Sequence, residues 1–117
     1  MKSEITVRKI TPQDKNVFIE MSREFYHSSA VLHEIDDNNH FAAFDELMRS
    51  DLYLEAFILE VSGKTAGYAL LNKMYSREAG GTVVWVEELY VREQFRSCGF
   101  GRTFFKFLEE NVPAARY

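Results

Sequence analysis

The stretch from residue 83 to residue 112 constrains the fold more than any other part of the chain. It opens with a run of β-branched and aromatic residues at 83–91, which is typical of a strand. A loop with two glycines, Gly99 and Gly101, follows the run. The next segment places apolar side chains at helical spacing, namely Phe100, Phe104, Phe107 and Leu108. The pattern predicts a strand, a glycine loop and a helix with one buried face.

The glycine loop is suited to binding an anion. The start of a helix leaves backbone N–H groups without partners and carries about half a positive charge, and glycines let a ligand approach that backbone. Residues 92–106 include four cations and one anion, a balance of +3, whereas the whole chain has a formal net charge of −4. We therefore predict a site for a polyanionic small molecule, because a surface that binds nucleic acid is usually basic across a whole face.

Two common phosphate-binding motifs are absent. The P-loop pattern G-x-x-x-x-G-K-[ST] does not occur, which argues against a nucleoside triphosphatase. The dinucleotide fingerprint needs a third glycine, and Phe104 occupies that position. The structural alternative is a loop whose glycines serve only the turn.

The loop resembles a third motif. Arg96-Ser97-Cys98-Gly99-Phe100-Gly101 is similar to the R/Q-x-x-G-x-G/A signature of the GNAT superfamily of N-acetyltransferases. Glu87-Glu88-Leu89-Tyr90-Val91 resembles the E-[DE]-[LF]-[YF]-V pattern of that family's fourth strand, at the family's spacing. The resemblance implies direct transfer of acetyl from acetyl-CoA to a primary amine of a small molecule or peptide. The strand is most similar to polyamine and small-amine acetyltransferases. The alternative is a non-catalytic domain that binds CoA or associates with itself.

The segments before the motif predict helices and strands in the family's order. Residues 5–10 alternate as in a strand, and Thr11 with Pro12 begins a helix that buries Val17, Phe18, Met21, Phe25 and Tyr26. A loop is predicted at 27–39. A second helix is predicted at 40–49, with Phe41, Phe44, Leu47 and Met48 facing inward. Strands at 54–61 and 65–75 flank Ser62-Gly63-Lys64, a hairpin signal, and a turn at 77–81 leads into the motif.

The resulting order is β-α-α-β-β-β-α, an α/β (α+β) fold with a mixed, mainly antiparallel sheet flanked by helices. A complete member of the family continues with a strand, a helix and usually closing strands. We therefore expect a single domain over residues 1–117 that lacks the C-terminal part of the fold. Since nothing in the chain is predicted to pair the outer edge of residues 83–86, we expect self-association, as a homodimer, through that edge or the last helix.

The resemblance also assigns residues to the cofactor. In the family, the backbone of the fourth strand pairs with the pantetheine arm of CoA, and the loop amides bind the pyrophosphate. Carried over by position, the cofactor-binding residues are Leu89, Tyr90, Val91, Arg96, Ser97, Cys98, Gly99, Phe100, Gly101 and Arg102. Direct transfer needs no acyl-enzyme, so Cys98 is not expected to act as a nucleophile.

Strand alternation separates the two carboxylates of the motif. It places Trp85, Glu87 and Leu89 on one face and Val86, Glu88 and Tyr90 on the other. In the family, residues that bind or deprotonate the acceptor amine project from the positions of Trp85 and Glu87. Glu87 is therefore the predicted general base, and Glu88 is predicted to be structural. The alternative for Glu87 is an ion pair with a neighbouring cation.

Polar residues between the first two helices are further candidates for the acceptor site. Tyr26 and the acidic residues Glu34, Asp36 and Asp37 are suited to a cationic acceptor. The family shapes its acceptor site in this region, where the chain has His27, His33 and His40. The alternative for all of these residues is a solvated loop. No metal-ligand spacing links the histidines, so no metal is predicted.

Composition sets the remaining expectations. The single cysteine cannot form an intramolecular disulfide, and no apolar run approaches 18 residues. The start, Met1-Lys2-Ser3-Glu4, leads us to expect no secretory leader. We therefore expect a soluble, cytoplasmic protein that contacts neither membrane nor nucleic acid.

Overall fold

A computed structural model describes residues 4–29, 31, 33–113 and 115–116. Its main elements are β1 (Ile5–Lys9), α1 (Lys15–Tyr26), α2 (Asp37–Arg49), β2 (Leu54–Val61), β3 (Lys64–Ser76), β4 (Gly81–Val91), α3 (Phe100–Asn111) and β5 (Ala115–Arg116). Short 3-10 turns at Pro12–Asp14 and Glu93–Phe95 precede α1 and α3. The predicted fold class and the order from β1 to α3 are confirmed.

Strands β1 to β4 form an antiparallel sheet in chain order. Val61 pairs with Lys64, so the turn between β2 and β3 consists of two residues, Ser62 and Gly63. Both have a positive φ, of 51° and 75°. Positive φ at both central residues is typical of a type I′ turn, whose twist matches that of the flanking strands. The hairpin predicted at this position is confirmed.

Helices cover both faces of the sheet. On one face, α1 and α2 pack over β2, β3 and β4 through Phe18, Met21, Phe44, Leu47, Ile58, Tyr68 and Tyr90. On the other face, α3 packs through Phe100, Phe104, Leu108, Phe57, Leu59 and Leu71. The end of β4 lies between the two layers. It therefore borders both α1 and the loop that leads into α3.

The region between α1 and α2 differs from the prediction in two respects. The Asp36 carboxylate caps α2 by accepting a hydrogen bond from the backbone N–H of Asn38 at 3.0 Å, so residues 37–39 belong to the helix and not to the loop. The buried face of α2 then consists of His40, Phe44 and Leu47. Phe41, predicted to face inward, is exposed beside the guanidinium of Arg23. Positions 30 and 32 of the predicted loop lie outside the described residues.

The outer edge of β4 has a short partner. β5 runs parallel to β4 and pairs Ala115 with Val84 and Arg116 with Trp85. The expectation that nothing in the chain can pair residues 83–86 is therefore wrong, because the chain turns back after α3 and reaches this edge. Within the described residues, no strand pairs the outer edge of β4 beyond Trp85. Among the described residues, the open part of the edge is thus residues 86–91, and the reason given for dimerisation through 83–86 is removed.

Candidate functional site

A β-bulge in β4 determines which side chains reach the candidate site. Leu70 pairs with Glu88, but the next residue, Leu71, pairs with Val86, so Glu87 has no partner on β3. The extra residue shifts the alternation of side chains beyond it. Val86 and Leu89 therefore pack in the same cluster beneath α3. The prediction that Leu89 lies on the opposite face from Val86 is wrong for this reason.

Glu87 is exposed at the bulge. Its Oε2 accepts a hydrogen bond from Nδ2 of Asn72 at 3.2 Å. Asn72 lies opposite Trp85 on the neighbouring strand, which brings Trp85, Asn72 and Glu87 together. No cation in the described part of the chain pairs with Glu87, so the ion-pair alternative is not observed there. The carboxylate is therefore open to a ligand.

Glu88 is buried and binds two tyrosines. The hydroxyl of Tyr68 donates to its Oε1 at 2.6 Å, and the hydroxyl of Tyr26 donates to its Oε2 at 3.0 Å. Burial raises the pKa of the Glu88 carboxyl above its usual range, although both hydrogen bonds act in the opposite direction. Burial and the nearby Glu88 charge in turn raise the pKa of Tyr26 to about 12. Glu88 connects α1 to β3 and β4, in keeping with the structural role predicted for it.

A second buried polar contact joins the two N-terminal helices. Nδ1 of His40 lies 2.6 Å from Oγ of Ser22, and the His40 ring meets the Tyr26 ring edge-on at 5.7 Å between centroids. Burial lowers the pKa of His40. His40 is therefore a core residue, and the alternative of a solvated position is wrong for it. The contact holds α2 beside the Tyr26 end of α1.

The other polar residues between α1 and α2 contact each other. Nδ1 of His27 lies 2.6 Å from Oε1 of Glu34, and both side chains are exposed. Asp37 accepts hydrogen bonds from Nε and Nη2 of Arg23, each at 2.9 Å. His33 is exposed. The acidic residues proposed to bind a cationic acceptor therefore have partners within the chain. Asp36 caps α2, Asp37 pairs with Arg23, and Glu34 contacts His27.

A cleft of about 350 Å³ follows the second half of β4. We call it the strand cleft, and it is lined by Phe25, Ser28, Ser29, Leu89, Tyr90, Val91 and Arg96. Its volume is within the range of small-molecule sites, about 300–1,000 Å³. The edge of β4 beside it has no strand partner among the described residues, so backbone groups there are left for a ligand. The cleft thus brings together four of the predicted cofactor residues, namely Leu89, Tyr90, Val91 and Arg96.

The glycine loop leaves open backbone at the start of α3. Gly99 has a φ of 90°, a left-handed conformation that favours glycine, and it stands at the N-cap without a side chain to cap the helix. A Cβ placed on Gly101 would meet nothing within 4 Å, so there is space above the first turn. Nε of Arg96 donates to the carbonyl oxygen of Val91 at 2.9 Å. Arg96 therefore holds the loop against the end of β4.

The positive charge around the loop is smaller than the sequence suggested. Arg92 pairs with Glu20 at 2.7 Å and Glu24 at 3.3 Å, so α1 offsets its charge. The Tyr90 hydroxyl also donates to Glu24, at 2.8 Å. In the described part of the chain, Arg102 and Lys106 form no ion pair. Among the described residues, the cations near the loop without an ion pair are therefore Arg102 and Lys106 on α3 and Arg96, whose Nε donates to a backbone carbonyl.

A larger cavity, of about 710 Å³, lies against the other side of the loop. We call it the turn cavity, and its polar lining comes from Ser62 and Lys64 at the β2–β3 turn and from Cys98, Arg102 and Thr103 near the start of α3. Ile5, Val61 and Phe95 supply apolar walls. Seven of the ten predicted cofactor residues therefore line one of the two cavities, and Ser97, Phe100 and Gly101 line neither. Cys98 is exposed, and its sulfur lies 3.6 Å from the Arg96 carbonyl oxygen.

Sequence reasoning missed several residues of the site. Phe25, Ser28 and Ser29 line the strand cleft, and only the packing of α1 against β4 brings them there. Asn72 was not singled out, because its proximity to Glu87 depends on the register of β3 and β4. Tyr68 gave one usable signal. A tyrosine in a strand predicted to be buried needs an acceptor for its hydroxyl, and Glu88 supplies it.

Two further findings concern metals and membranes. The residues that the structure describes include no group of three or more His, Cys, Asp or Glu side chains placed to hold a metal ion. In the same residues, no helix is both long enough and apolar enough to span a bilayer.

Comparisons with known proteins identify relatives of this arrangement. The model of the acetyltransferase (GNAT) family matches residues 16–116. Among solved structures, a possible acetyltransferase from Clostridium difficile 630 is similar with a TM-score of 0.79 and 14% identity, over 96% of this chain and 75% of that one. A search of curated proteins found no match.

Two solved structures of N-acetyltransferases are also similar. An aminoglycoside N-acetyltransferase in complex with CoA has a TM-score of 0.74 and 17% identity, over 100% of this chain and 79% of that one. A ribosomal-protein-alanine N-acetyltransferase from Brucella melitensis biovar Abortus 2308 has a TM-score of 0.71 and 16% identity, over 93% and 72%. At these identities, the structural similarity supports the fold.

Proposed function

The chain belongs to the GNAT family of acetyltransferases, and from that premise we propose that it transfers the acetyl group of acetyl-CoA to a primary amine of a small molecule or peptide. The observation that carries the proposal is the open backbone at the end of β4. An unpaired strand edge and an uncapped helix start meet there, joined by the loop that Arg96 fastens to Val91. These are the two backbone surfaces that a thioester arm and a pyrophosphate require.

The residues present fit the cofactor. The strand cleft offers a mainly apolar channel beside the free edge of Leu89, Tyr90 and Val91. The first turn of α3 offers amides over open space at Gly101, with Arg102 one residue further along. Acetyl-CoA supplies a thioester whose carbonyl carbon accepts a nucleophile. The chain's own contribution is to bind the arm along β4 and to place an acceptor amine beside it.

Glu87 is the group we assign to proton transfer. A primary amine is mostly protonated near neutral pH and cannot attack until it loses that proton. The Glu87 carboxylate is exposed at the bulge and can accept the proton directly or through one water molecule. With acetyl-CoA bound, the neutral amine would bond to the thioester carbon and the carbon–sulfur bond would break with its electron pair on sulfur. The second proton of the nitrogen would then pass to that thiolate, which gives the amide and the free thiol of CoA.

Trp85 and Tyr26 are the residues we assign to acceptor binding. The Trp85 indole N–H donates to Sδ of Met74 at 2.9 Å, which fixes the ring while 44% of the residue remains exposed. The Tyr26 side chain is half-buried and anchored by its hydrogen bond to Glu88. The solved relatives include enzymes named for an aminoglycoside and for a protein alanine, so both small and peptide amines are within the proposal.

The alternative function is a domain that binds CoA without turnover. The same open edge of β4 and the same loop would bind CoA in such a domain. The two functions differ in whether Glu87 accepts a proton from an acceptor amine. Turnover of acetyl-CoA with a panel of amines separates the two functions. Binding of CoA without any amine-dependent release of free thiol would favour the alternative.

The Gly101→Asp variant tests the central claim. Gly101 lies in the first turn of α3, where a carboxylate suits the helix but repels a pyrophosphate. We therefore expect a folded variant that no longer binds CoA in isothermal titration calorimetry. Gly81→Asp at the start of β4 is the matched control, since it adds the same charge at a glycine with equal open space. Equal CoA affinity of Gly101→Asp and the wild type would refute the proposed site.

A further inference from the structure

The turn cavity contains two cations that no group in the described chain neutralises. Lys64 and Arg102 line it, and neither forms an ion pair or a side-chain hydrogen bond with a described residue. By contrast, Arg8, Arg23 and Arg92 each pair with a carboxylate. Unpaired cations that face one cavity in a chain with a net charge of −4 favour an anionic occupant.

The backbone on both sides of the cavity is fixed. Lys64 directly follows the type I′ turn of Ser62 and Gly63 and pairs with Val61. Arg102 lies in the first turn of α3, which Phe100 anchors with only 3% of its surface exposed. The two cations therefore project from a tight hairpin and a packed helix, so less conformational entropy is lost when a ligand binds.

The lining combines charge with an apolar wall. Phe95 supplies an aromatic ring, Ile5 and Val61 supply aliphatic surface, and Ser62 and Thr103 supply hydroxyl groups. A phosphate joined to a flat, weakly polar base matches this set, because the cations and hydroxyls bind the phosphate while the ring and aliphatic groups contact the base. The ligand class is a phosphorylated nucleoside.

We propose that the turn cavity binds the 3′-phosphoadenosine end of CoA, with Lys64 and Arg102 on the 3′-phosphate. The inference rests on the proposed function, because it assigns a residue outside the motif to the same cofactor. CoA carries a third phosphate on its ribose besides the pyrophosphate. The loop amides account for the pyrophosphate, and Gly99 of that loop also lines the turn cavity. A phosphate monoester carries about −1.5 to −2 charges at pH 7, which two cations can balance.

The test compares CoA with 3′-dephospho-CoA in calorimetric titrations of the whole chain. The wild type should bind CoA about tenfold more tightly, the scale of one hydrogen-bonded charge contact. Lys64→Met keeps the apolar stem of the side chain, and it should reduce that preference to about twofold while leaving the affinity for 3′-dephospho-CoA unchanged. Circular dichroism establishes that the variant is folded.

Lys106→Met is the matched control, because it removes the same charge from α3 at a residue that does not line the cavity. It should keep the preference for CoA. A wild type that binds both forms equally would overturn the inference and leave the proposed function intact. The inference would also be overturned if Lys106→Met lost the preference for CoA to the same extent as Lys64→Met. The preference would then arise from long-range charge and not from a contact in the turn cavity. Binding of neither form would refute both proposals for this chain.

Discussion

The adjacent carboxylates Glu87 and Glu88 should respond in opposite ways to the same substitution. Glu87→Gln loses one exposed hydrogen bond, from Asn72 at 3.2 Å, so the free energy of unfolding should change by less than about 0.5 kcal/mol. The acetyl-transfer rate kcat should fall by roughly 100-fold or more, because an amide cannot accept the amine's proton. CoA affinity should not change.

Glu88→Gln acts on the core. The amide oxygen can accept from one of the two tyrosine hydroxyls, Tyr26 or Tyr68, but an N–H₂ group replaces the acceptor of the other. A hydrogen bond to a charged group contributes roughly 1.5–3 kcal/mol, and relief of the buried charge offsets part of its loss. We expect a net loss of about 1–2 kcal/mol, or about 4–8 °C in Tm for a chain of this size. The kcat should change by only a few-fold.

The pH dependence of Glu88→Gln has a defined sign. The pKa of Glu88 is raised in the folded state, so its contribution to stability is present below the unfolded value and is lost as the pH rises through the folded one. Glutamine does not titrate. The destabilisation by Glu88→Gln should therefore be larger at pH 4 than at pH 7, as measured by urea unfolding at each pH.

Two measurements on both variants test these roles of Glu87 and Glu88. They are the rate of acetyl transfer to a panel of amines and the Tm of thermal unfolding. If Glu88→Gln lost activity while Glu87→Gln kept it, the assignment of the base to the bulge would be wrong. If Glu87→Gln lowered the Tm by several degrees, Glu87 would be a structural group.

Two further predictions concern stability. Gly67→Ala should lower the free energy of unfolding by about 1–3 kcal/mol, because the new Cβ would lie 2.0 Å from the backbone oxygen of Tyr90, whereas Gly81→Ala meets nothing within 4 Å and should change it little. Equal melting temperatures of the two variants would contradict this strand geometry. The hydrogen bond from Arg8 lowers the pKa of Asp14, so this carboxylate contributes stability above its unfolded pKa of about 3.9 and loses it as the pH falls through the folded value. Urea unfolding between pH 5 and pH 2.5 should show a shallower loss of stability for Asp14→Asn than for the wild type, and parallel curves would argue against the role of this pair.

The features that the sequence predicted correctly are local ones. The hairpin at Ser62 and Gly63 depends on two residues that tolerate positive φ, and the strand, glycine loop and helix depend on periodicity within about ten residues each. Such signals require no knowledge of distant contacts. Fold class and element order follow from them, which is why both could be predicted.

The features that the sequence did not predict depend on distant partners. His40 is buried because α2 packs on Ser22 of α1, and a polar residue near a helix start gives no sign of this. The pairing of β5 with Val84 depends on the path of the chain after α3. The bulge depends on the register of β3 against β4, which alternation within β4 cannot reveal. Each of these features required the three-dimensional packing.

The bulge explains how one strand can place neighbouring carboxylates in different environments. In a regular strand, Glu87 and Leu89 share a face, so packing Leu89 beneath α3 would carry Glu87 into the same apolar layer. The extra residue removes this conflict. Leu89 and Val91 pack with the α3 layer, Glu88 is buried with the tyrosines on the opposite side, and Glu87 is the one exposed residue within 87–91.

Gly67 contributes to the same arrangement from the neighbouring strand. It pairs with Val91 and lets β3 approach the Tyr90 carbonyl more closely than any side chain would permit. A bulge increases the local twist of its strand. The bulge and this close approach therefore lie at either end of residues 87–91, which belong to the part of β4 whose outer edge has no partner strand among the described residues. The geometry that exposes the proposed base and the geometry that leaves an edge for the cofactor thus belong to one short segment, so a substitution that restores regular pairing there should impair proton transfer and CoA binding together.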